Sequence, residues 1–280
     1  MLVSVIVPFY NGEKYLPQIK KMINNNADNM LSTDLIELIL VNDSPTHKIN
    51  EIAMKSERYK LKIIVNDTNS GIHQSRINGI REASGEYILM LDQDDLIEDK
   101  CISNQLAAVG NADVIVSNGY KRYQHGDVLI YGSNRQQKKI KKLFWYVYLE
   151  NRILSPGQCL IKKNAIPTIW TKSSMKVNGA DDMFLWLIML HEKKVFKYNY
   201  ECLYTHVSTG ENVSNDDLQM AASTYEMLQL LQQLKILTMF GRWLFKRKID
   251  NDVYFYKNGK DKYLDYKIIE KIRQILSRSR

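Results

Sequence analysis

The sequence predicts an α/β fold in which a mostly parallel sheet is flanked by helices. Short apolar, β-branched segments alternate with segments of helical periodicity through residues 1–118. The fourth apolar segment, residues 87–91, contains no charged residue, which is typical of an interior strand of a parallel sheet. Strands and helices that alternate along a chain build parallel sheets, because each helix carries the chain back across the sheet.

The elements of the first half follow from these patterns. We predict strands at residues 3–7, 35–41, 61–65, 87–91 and 113–117. Between them, apolar residues recur every three or four positions, which predicts a helix. These predicted helices lie at residues 12–23, 49–59, 71–83 and 96–109.

The alternation weakens after residue 118. An edge strand is predicted at residues 128–131 and short strands at 158–161 and 194–204. Helices are predicted at residues 138–151, 181–191, 218–234 and 266–276.

Composition is that of a globular protein, with 45% hydrophobic and 25% charged residues. The scattered, odd set of Cys101, Cys159 and Cys202 has no metal-ligand spacing and indicates a reducing compartment. We expect no secretory leader, because residues 1–8 lack a basic segment and a long apolar run. No segment approaches the ~20 apolar residues of a membrane span.

The net charge of +8 is concentrated at the end of the chain. Residues 235–280 contain thirteen Lys or Arg and five Asp or Glu, a balance of 13 − 5 = +8. The rest of the chain is therefore neutral overall. Such a basic segment suggests an anionic partner, either a membrane surface or nucleic acid.

Three carboxylates, Asp92, Asp94 and Asp95, follow the predicted fourth strand. Carboxylates this close repel one another unless a cation or a hydrogen-bond network offsets their charge. Mg²⁺ and Mn²⁺ prefer oxygen ligands, so a metal site is one interpretation. The other is a solvated loop in which Asp95 caps a helix that begins near Leu96.

Polar residues follow four predicted strands, at residues 8–11, 42–44, 66–71 and 92–95. The carboxyl ends of parallel strands meet at one edge of a sheet, where open α/β sheets bind ligands. The first strand is not followed by Gly-x-Gly-x-x-Gly, and the chain has no P-loop motif. A nucleotide phosphate at this edge would therefore need a metal bridge.

Two further features could carry chemistry. Asp181 and Asp182 begin a predicted helix, where a carboxylate either caps the helix and complements its dipole or acts as a general base. His206 follows a predicted strand and precedes the polar loop 208–214. It is either a structural residue or part of the site.

These motifs, taken together, resemble those of the family 2 inverting glycosyltransferases. The resemblance covers roughly residues 2–214. It rests on five segments in the same order as in the family: residues 3–11, 40–44, 69–80 with Arg76, 83–95, and 179–182.

The resemblance implies the GT-A fold, a Rossmann-like sheet flanked by helices, with a helical, basic C-terminal extension. It divides the chain into a GT-A domain at residues 1–213 and the extension at 214–280. Within the domain, residues 1–118 would bind the nucleotide sugar and residues 119–213 the acceptor.

The resemblance also implies a hexosyl transfer from a nucleotide-diphosphate sugar, expected to be a UDP-sugar, with Mn²⁺ or Mg²⁺. Asp182 would be the base, and Asp94 with His206 would hold the metal. Asp43 would accept a hydrogen bond from the base of the nucleotide, and Asp92 would face the ribose or a metal-bound water. The remaining expected donor-binding residues are Pro8, Tyr10, Asn11, Glu13, Asn69, Gly71, Arg76 and Gln93.

The sequence departs from the family pattern at four places. Asn42 stands for a usual Asp, Pro45 follows where Gly-Ser is frequent, Ile77 stands for an Asn, and Asp181 for a Glu. The first two bear on recognition of the donor base. Because Asp94 and Asp182 are retained, we expect activity.

The expected acceptor is a glycan or a lipid-linked oligosaccharide in bacterial surface-polysaccharide synthesis. Trp243, Leu244 and Phe245 lie beside the basic residues 246–248, a pattern that suits contact with an anionic membrane or packing on the domain. We expect a cytoplasmic protein, peripheral to the membrane if that contact forms. No nucleic-acid motif is recognisable, so no nucleic-acid partner is expected.

Two other functions remain as alternatives. One is a catalytically inactive protein that binds sugar nucleotides. The other is a nucleotidyltransferase, although residues 8–14 lack the Gly-rich, Arg- or Lys-containing loop that such enzymes carry after the first strand.

Overall fold

The computed structural model describes residues 1–148, 151–210, 212, 215–263, 271 and 275. Nine strands form one sheet in the order β3-β2-β1-β4-β8-β6-β9-β5, and β7 pairs with β6. The strands are β1 (Leu2–Phe9), β2 (Leu35–Asn42), β3 (Lys60–Val65), β4 (Tyr87–Met90), β5 (Leu96–Ile97), β6 (Val114–Tyr123), β7 (Gly126–Leu129), β8 (Cys159–Lys162) and β9 (Phe196–Val207).

Ten α-helices accompany the sheet in the described part of the chain. They are α1 (Leu16–Asp28), α2 (Glu51–Met54), α3 (Ile72–Glu82), α4 (Cys101–Val109), α5 (Asn134–Gln137), α6 (Leu143–Tyr148), α7 (Thr168–Lys172), α8 (Asp181–His191), α9 (Asp217–Gln233) and α10 (Met239–Asn258). A 3-10 turn at Lys138–Lys141 joins α5 to α6.

The expected α/β architecture is confirmed. Strands β3, β2, β1 and β4 pair in parallel, and β6 pairs in parallel with β9. Between these two groups, β8 runs antiparallel to both β4 and β6. The four N-terminal strands therefore bring their carboxyl ends to one edge of the sheet.

The sheet is buried on both faces because its strands are apolar at successive positions. In β1, Val3, Val5 and Val7 point to one core and Ile6 points to the other. Helices α1 and α4 cover the first face, and α3, α8, α9 and α10 cover the second. The C-terminal helices thus share a core with the helix that begins at Asp181.

Several predicted helices differ from the structure. The helix predicted at residues 49–59 is the four-residue α2, and the one predicted at 138–151 is divided between the 3-10 turn and α6. The helix predicted at 266–276 lies almost wholly outside the described residues.

The prediction of a helix from Leu96 capped by Asp95 is wrong. Leu96 and Ile97 form β5 and pair with Thr205 and Tyr204 of β9, and α4 begins only at Cys101. The backbone partners offered by β9 override the helical periodicity of this segment. Asp95 consequently does not cap a helix, and its carboxylate bonds residues of β9.

Within the described ranges, no helix combines the length and apolarity that a membrane crossing requires.

Candidate active site

The candidate site lies where β1, β2 and β4 end. Phe9 is in register with Asn42, and Ile6 with Met90, so the residues that follow these strands converge. Asp43 and the cluster that begins at Asp92 therefore share one edge of the sheet. This is the crevice position that open α/β sheets use for ligands.

Asp43 is buried and holds the loop that precedes α3. Its Oδ1 accepts from Asn66 Nδ2 at 2.7 Å and from the Ser70 amide at 2.8 Å, and its Oδ2 accepts from the Gly71 amide at 2.9 Å. A carboxylate offers about four lone-pair positions, so acceptor capacity remains for a ligand donor. Asp43 thus shapes the pocket wall in addition to its predicted contact with a nucleotide base.

Gln93 forms two hydrogen bonds to the backbone of the turn after β1. Its side chain accepts from the Tyr10 amide at 3.0 Å and donates to the Tyr10 carbonyl at 3.1 Å. Asn11 follows with a φ of 46° and donates its amide to Ser44 Oγ at 2.9 Å. Gly12 leaves no room for a side chain, since a Cβ there would overlap the Gln93 amide. Gln93 therefore fixes the backbone conformation of residues 10–12.

Arg76 is buried and joins two acidic motifs. One guanidinium nitrogen donates to Asp92 Oδ1 at 2.5 Å, and the other donates to Asp181 Oδ2 at 2.6 Å. Ser155 Oγ donates to the other oxygen of Asp92 at 3.3 Å. The pKa of Arg76 is raised, because the charges of Asp181 and Asp92 outweigh the cost of its burial. Arg76 is thus placed to position carboxylates, with little of its surface left for a nucleotide.

Asp182 begins α8 as a buried carboxylate. Its Oδ2 accepts from Asn151 Nδ2 at 2.9 Å, and its Oδ1 accepts from the Met183 amide at 2.6 Å. Burial first, and the neighbouring Asp181 second, raise the pKa of Asp182 to about 7, while the charge of Arg76 opposes the rise. A carboxylate with a pKa near neutrality can accept a proton from a hydroxyl group.

Asp95 ties β9 to the aspartate cluster. It accepts from the Tyr204 hydroxyl, from the Val207 amide at 3.0 Å, and it lies 3.1 Å from His206 Nδ1. Burial raises the pKa of Asp95. Burial also opposes the charged form of His206, but the hydrogen bond and charge of Asp95 prevail and raise the pKa of His206.

Asp94 and His206 fit an open metal site. Burial, with the charges of Asp95 and Asp92, raises the pKa of Asp94 to about 6. A bound cation would offset this repulsion and favour the charged carboxylate. With its Nδ1 bonded to Asp95, His206 keeps Nε2 as its potential ligand atom. The described residues contain no group of three or more His, Cys, Asp or Glu side chains that could hold a metal. Phosphate oxygens would have to complete the coordination, as is common for Mg²⁺.

The other predicted residues lie around the turns of the crevice. Tyr10 and Asn11 are exposed and Pro8 is partly buried. Glu13 is exposed and pairs with His47 at 3.0 Å. Asn69 is exposed and accepts from the Gly71 amide at 3.2 Å. None of the predicted site residues is remote from this edge of the sheet.

Four polar residues of the site were missed in the sequence. Asn66 and Ser155 support Asp43 and Asp92, and Asn151 supports Asp182. Asn212 donates to Asp94 Oδ2 at 3.2 Å. Asn66 and Asn212 carried a signal, since they lie in the polar segments 66–71 and 208–214 that follow predicted strands. Asn151 and Ser155 lie in the irregular region after residue 118.

The sequence model for glycosyl transferase family 2 matches residues 4–170. The chain belongs to glycosyl transferase family 2. The match includes Arg76 and the Asp92–Asp95 cluster, while the acidic pair and His206 lie beyond its end. Membership of this family, predicted from the motifs, is therefore confirmed.

Curated relatives agree with this family. Glycosyltransferase GlyG of Streptococcus pneumoniae is 32% identical over 131 residues, which cover 45% of this chain and 41% of GlyG. An uncharacterized glycosyltransferase of Methanocaldococcus jannaschii is 26% identical over 263 residues, covering 91% of this chain and 84% of its own. The matched regions span less than half the length of the first relatives, 41% and 46%.

The fold has solved counterparts in this family. Residues 1–349 of Staphylococcus aureus TarS, crystallised with UDP-GlcNAc, align with a TM-score of 0.63 over 92% of this chain and 75% of that one. The two chains share 17% sequence identity, so the likeness concerns the fold. The predicted GT-A fold is thereby confirmed.

Proposed function

We propose that this protein is a metal-dependent, inverting hexosyltransferase that moves a sugar from a UDP-sugar to a hydroxyl group of a glycan or lipid-linked acceptor. The observation that carries the proposal is Asp182. It is a buried carboxylate with a pKa of about 7, and Arg76 connects its neighbour Asp181 to the Asp92–Asp95 cluster. A base and a leaving-group site are thus coupled across one crevice.

In this reaction Asp182 accepts the proton of the acceptor hydroxyl. The acceptor oxygen forms a bond to the anomeric carbon, and the bond from that carbon to the diphosphate oxygen breaks. UDP departs with the electron pair. A single displacement inverts the anomeric carbon and needs one base, in contrast to the nucleophile and acid of a retaining glycosidase.

The donor side is built by residues of the first half. Asp43 shapes the loop 66–71 and keeps capacity for a donor group of the base, and the Tyr10 turn forms the adjoining wall. Asp94 and His206 would hold Mn²⁺ or Mg²⁺ against the diphosphate. When bound, the cation supplies Lewis-acid stabilisation of the charge on the leaving group.

Relatives support the substrate class. TarS is named a poly(ribitol-phosphate) beta-N-acetylglucosaminyltransferase and has been crystallised with UDP and UDP-GlcNAc. It is 32% identical to this chain over 120 residues. GgaB of Bacillus subtilis, named a minor teichoic acid biosynthesis protein, is 37% identical over 106 residues. These relatives support the proposal that the acceptor belongs to bacterial surface-polysaccharide synthesis.

The proposed location is the cytoplasm, with peripheral contact between residues 235–280 and the anionic cytoplasmic face of the membrane. The nucleotide sugar is a cytoplasmic metabolite in this proposal, and a lipid-linked acceptor would be met at the membrane surface. The basic charge of this segment supports such contact.

A panel of UDP-sugars with Mn²⁺ tests the proposed activity. We expect wild type to hydrolyse or transfer at least one donor, and Asp182→Asn to lose about 10²- to 10⁴-fold in kcat while still binding UDP. Glu57→Gln, at an exposed carboxylate that precedes the amino end of β3, is the control and should keep full turnover.

The outcomes separate the alternatives. UDP binding by wild type without turnover of any donor would favour the inactive sugar-nucleotide-binding protein. Release of pyrophosphate from a nucleoside triphosphate and a sugar phosphate would favour the nucleotidyltransferase. Full turnover by Asp182→Asn would leave the base unassigned.

A further inference from the structure

The first two turns of α10 expose apolar side chains to solvent. Met239, Phe240 and Trp243 are 82%, 58% and 49% exposed, while Phe245 and Ile249 on the opposite side are 5% exposed. Phe240 and Trp243 stack with ring centroids 5.7 Å apart. A helix on the surface of a water-soluble domain ordinarily turns polar residues outward. Met239, Phe240 and Trp243 therefore form an exposed apolar stripe on the outer side of α10.

Cations flank the stripe. Residues 235–248 include Lys235, Arg242 and the run 246–248, and they contain no Asp or Glu. The Arg247 guanidinium lies 5.2 Å from the centre of the Trp243 ring. Aromatic rings bordered by cations are typical of segments that lie at the boundary of headgroups and acyl chains.

A second segment has the same character. Residues 128–149 contain five Lys or Arg and no Asp or Glu. Within it, Lys138, Lys141 and Lys142 are exposed, and Phe144 is 50% exposed. The Lys141 ammonium lies 4.4 Å from the centre of the Tyr198 ring. The fold leaves these cations on the surface beside an exposed aromatic side chain.

The two segments are neighbours. Helix α6 follows the lysine run directly, and its Val147 packs on α10, since a Cβ at Gly241 would lie 3.3 Å from Val147 Cγ1. Val147 and Phe245 belong to one buried cluster. We call Lys138, Lys141, Lys142, Phe144, Phe240 and Trp243 the basic-aromatic face.

We propose that the basic-aromatic face docks on an anionic lipid surface, with the aromatic side chains entering the headgroup region and the lysines facing lipid phosphates. The proposal rests on the membrane contact proposed above for residues 235–280. It adds a second contact segment, residues 138–144, which lies far earlier in the chain.

The chemistry of the face selects this occupant. A second copy of the chain would bring two cationic surfaces together, which repel. A soluble polyanion would satisfy the lysines and leave Met239, Phe240 and Trp243 exposed to water. An anionic bilayer offers both negative charge and an apolar layer, and each nearby Lys or Arg adds to binding.

The face also adjoins the catalytic crevice. Asn151 comes after α6 and donates to Asp182 at 2.9 Å. Docking through α6 and α10 would therefore use a segment that leads directly into the wall around the proposed base. This connection suits an acceptor that is carried by a lipid.

Vesicle flotation of the full chain tests the proposal. The vesicles are phosphatidylcholine alone or with about a third phosphatidylglycerol, at low and high salt. We expect wild type to bind the anionic vesicles and to bind neutral ones at least tenfold less. High salt should weaken binding by screening the lysines. Equal binding to both vesicles, or to neither, would overturn the proposal.

Two sets of variants separate the elements. The triple variant Lys138→Gln, Lys141→Gln, Lys142→Gln and the double variant Phe240→Ser, Trp243→Ser should each lower the partition coefficient about tenfold or more. The matched control for the lysines is the exposed triple variant Lys21→Gln, Lys60→Gln, Lys172→Gln. The control for loss of exposed apolar side chains is Leu31→Ser, Ile52→Ser, and both controls should bind as wild type does.

The pattern of losses decides the assignment. If the lysine triple variant binds like wild type, the second element is refuted and contact is confined to the C-terminal segment. If the aromatic double variant binds like wild type and soluble polyphosphate competes fully, the occupant is a soluble polyanion and the lipid proposal fails. Hydrolysis of a soluble UDP-sugar, measured on every variant, should be unchanged. Its absence from all proteins would count against the proposed activity and leave the flotation result valid.

Discussion

Arg76 and Asp181 form a buried ion pair at 2.6 Å that lies between the two proposed chemical centres of the crevice. The same guanidinium bonds Asp92, which begins the Asp92–Asp95 cluster, and Asp181 is the neighbour of Asp182. Arg76 is therefore a positioning residue for both sides of the reaction. Its charge also lowers the pKa of Asp182, in opposition to burial and Asp181, which raise it.

This arrangement predicts opposite pH shifts in two variants. Asp182 must be deprotonated to act as a base, so wild-type kcat should rise with pH through about 7. Asp181→Asn removes a negative neighbour, lowers the pKa of Asp182 and moves the acid limb to lower pH. Arg76→Met removes a positive neighbour and moves it to higher pH. The other groups near Asp182, Cys159 and Tyr146, stay neutral because burial raises their pKa values well above this range.

The measurement is the pH dependence of kcat at saturating donor. Arg76→Met leaves buried carboxylates unpaired, at a cost of about 3 to 5 kcal/mol in folding free energy, so thermal unfolding is recorded alongside. Arg76→Lys retains the charge and should restore the wild-type limb. Shifts of the same sign in Asp181→Asn and Arg76→Met would contradict the electrostatic account, and Asp181→Asn alone tests it if Arg76→Met does not fold.

Asp94 and Asp95 should differ in what their loss does. Asp94→Asn removes the proposed ligand, so Mn²⁺ binding in the presence of UDP should be lost while the melting temperature stays near that of wild type. Asp95→Asn disturbs Tyr204, Val207 and His206, so the melting temperature should fall and Mn²⁺ affinity should drop about 10- to 100-fold.

Calorimetric titration of Mn²⁺ into the UDP complex, together with thermal unfolding, measures both effects. We expect the loss of activity to be larger for Asp94→Asn than for Asp95→Asn. The reverse order would exchange the roles of ligand and support. Loss of the Asp95 charge should also lower the pKa of His206, which NMR titration of the imidazole can follow.

Gly12 should control donor affinity through Gln93. Gly12→Ala places a methyl group on the Gln93 amide and breaks its clasp on Tyr10. Two hydrogen bonds of about 1 kcal/mol each predict a rise in KM for the donor of roughly 5- to 30-fold, with kcat little changed. Gly132→Ala is the control, since its nearest contact would be an ordinary 3.5 Å. A fall in kcat at constant KM would assign the Tyr10 turn to the chemical step instead.

Much of the site could be predicted from the sequence because it is local to strand ends. Asp43, Asp92 and the Tyr10 turn each directly follow an apolar strand, and parallel pairing brings such residues together. The acidic pair begins α8 as predicted, because it is followed by the continuous apolar run Met183–Leu190 of a buried helix. These features depend on periodicity and turn residues, which are properties of neighbouring positions.

Other features depended on contacts between distant parts of the chain. A helix cap was one interpretation of Asp95, but the pairing of β5 with β9 makes it a buried partner of Tyr204 and His206. Arg76 is predicted to bind the donor, and the fold pairs it with Asp181, 105 residues away. No local pattern encodes such partners.

By itself, then, the sequence determined the family, the α/β architecture and the set of carboxylates at the sheet edge. Only the tertiary structure decided which carboxylate is held by hydrogen bonds (Asp95), which forms an ion pair (Asp181) and which has a pKa raised to about 7 (Asp182). It also packed α6, which follows the lysine run at 138–142, against α10. The physical reason is that strand and helix formation respond to neighbouring residues, whereas burial, ion pairing and pKa depend on side chains that folding brings from distant segments.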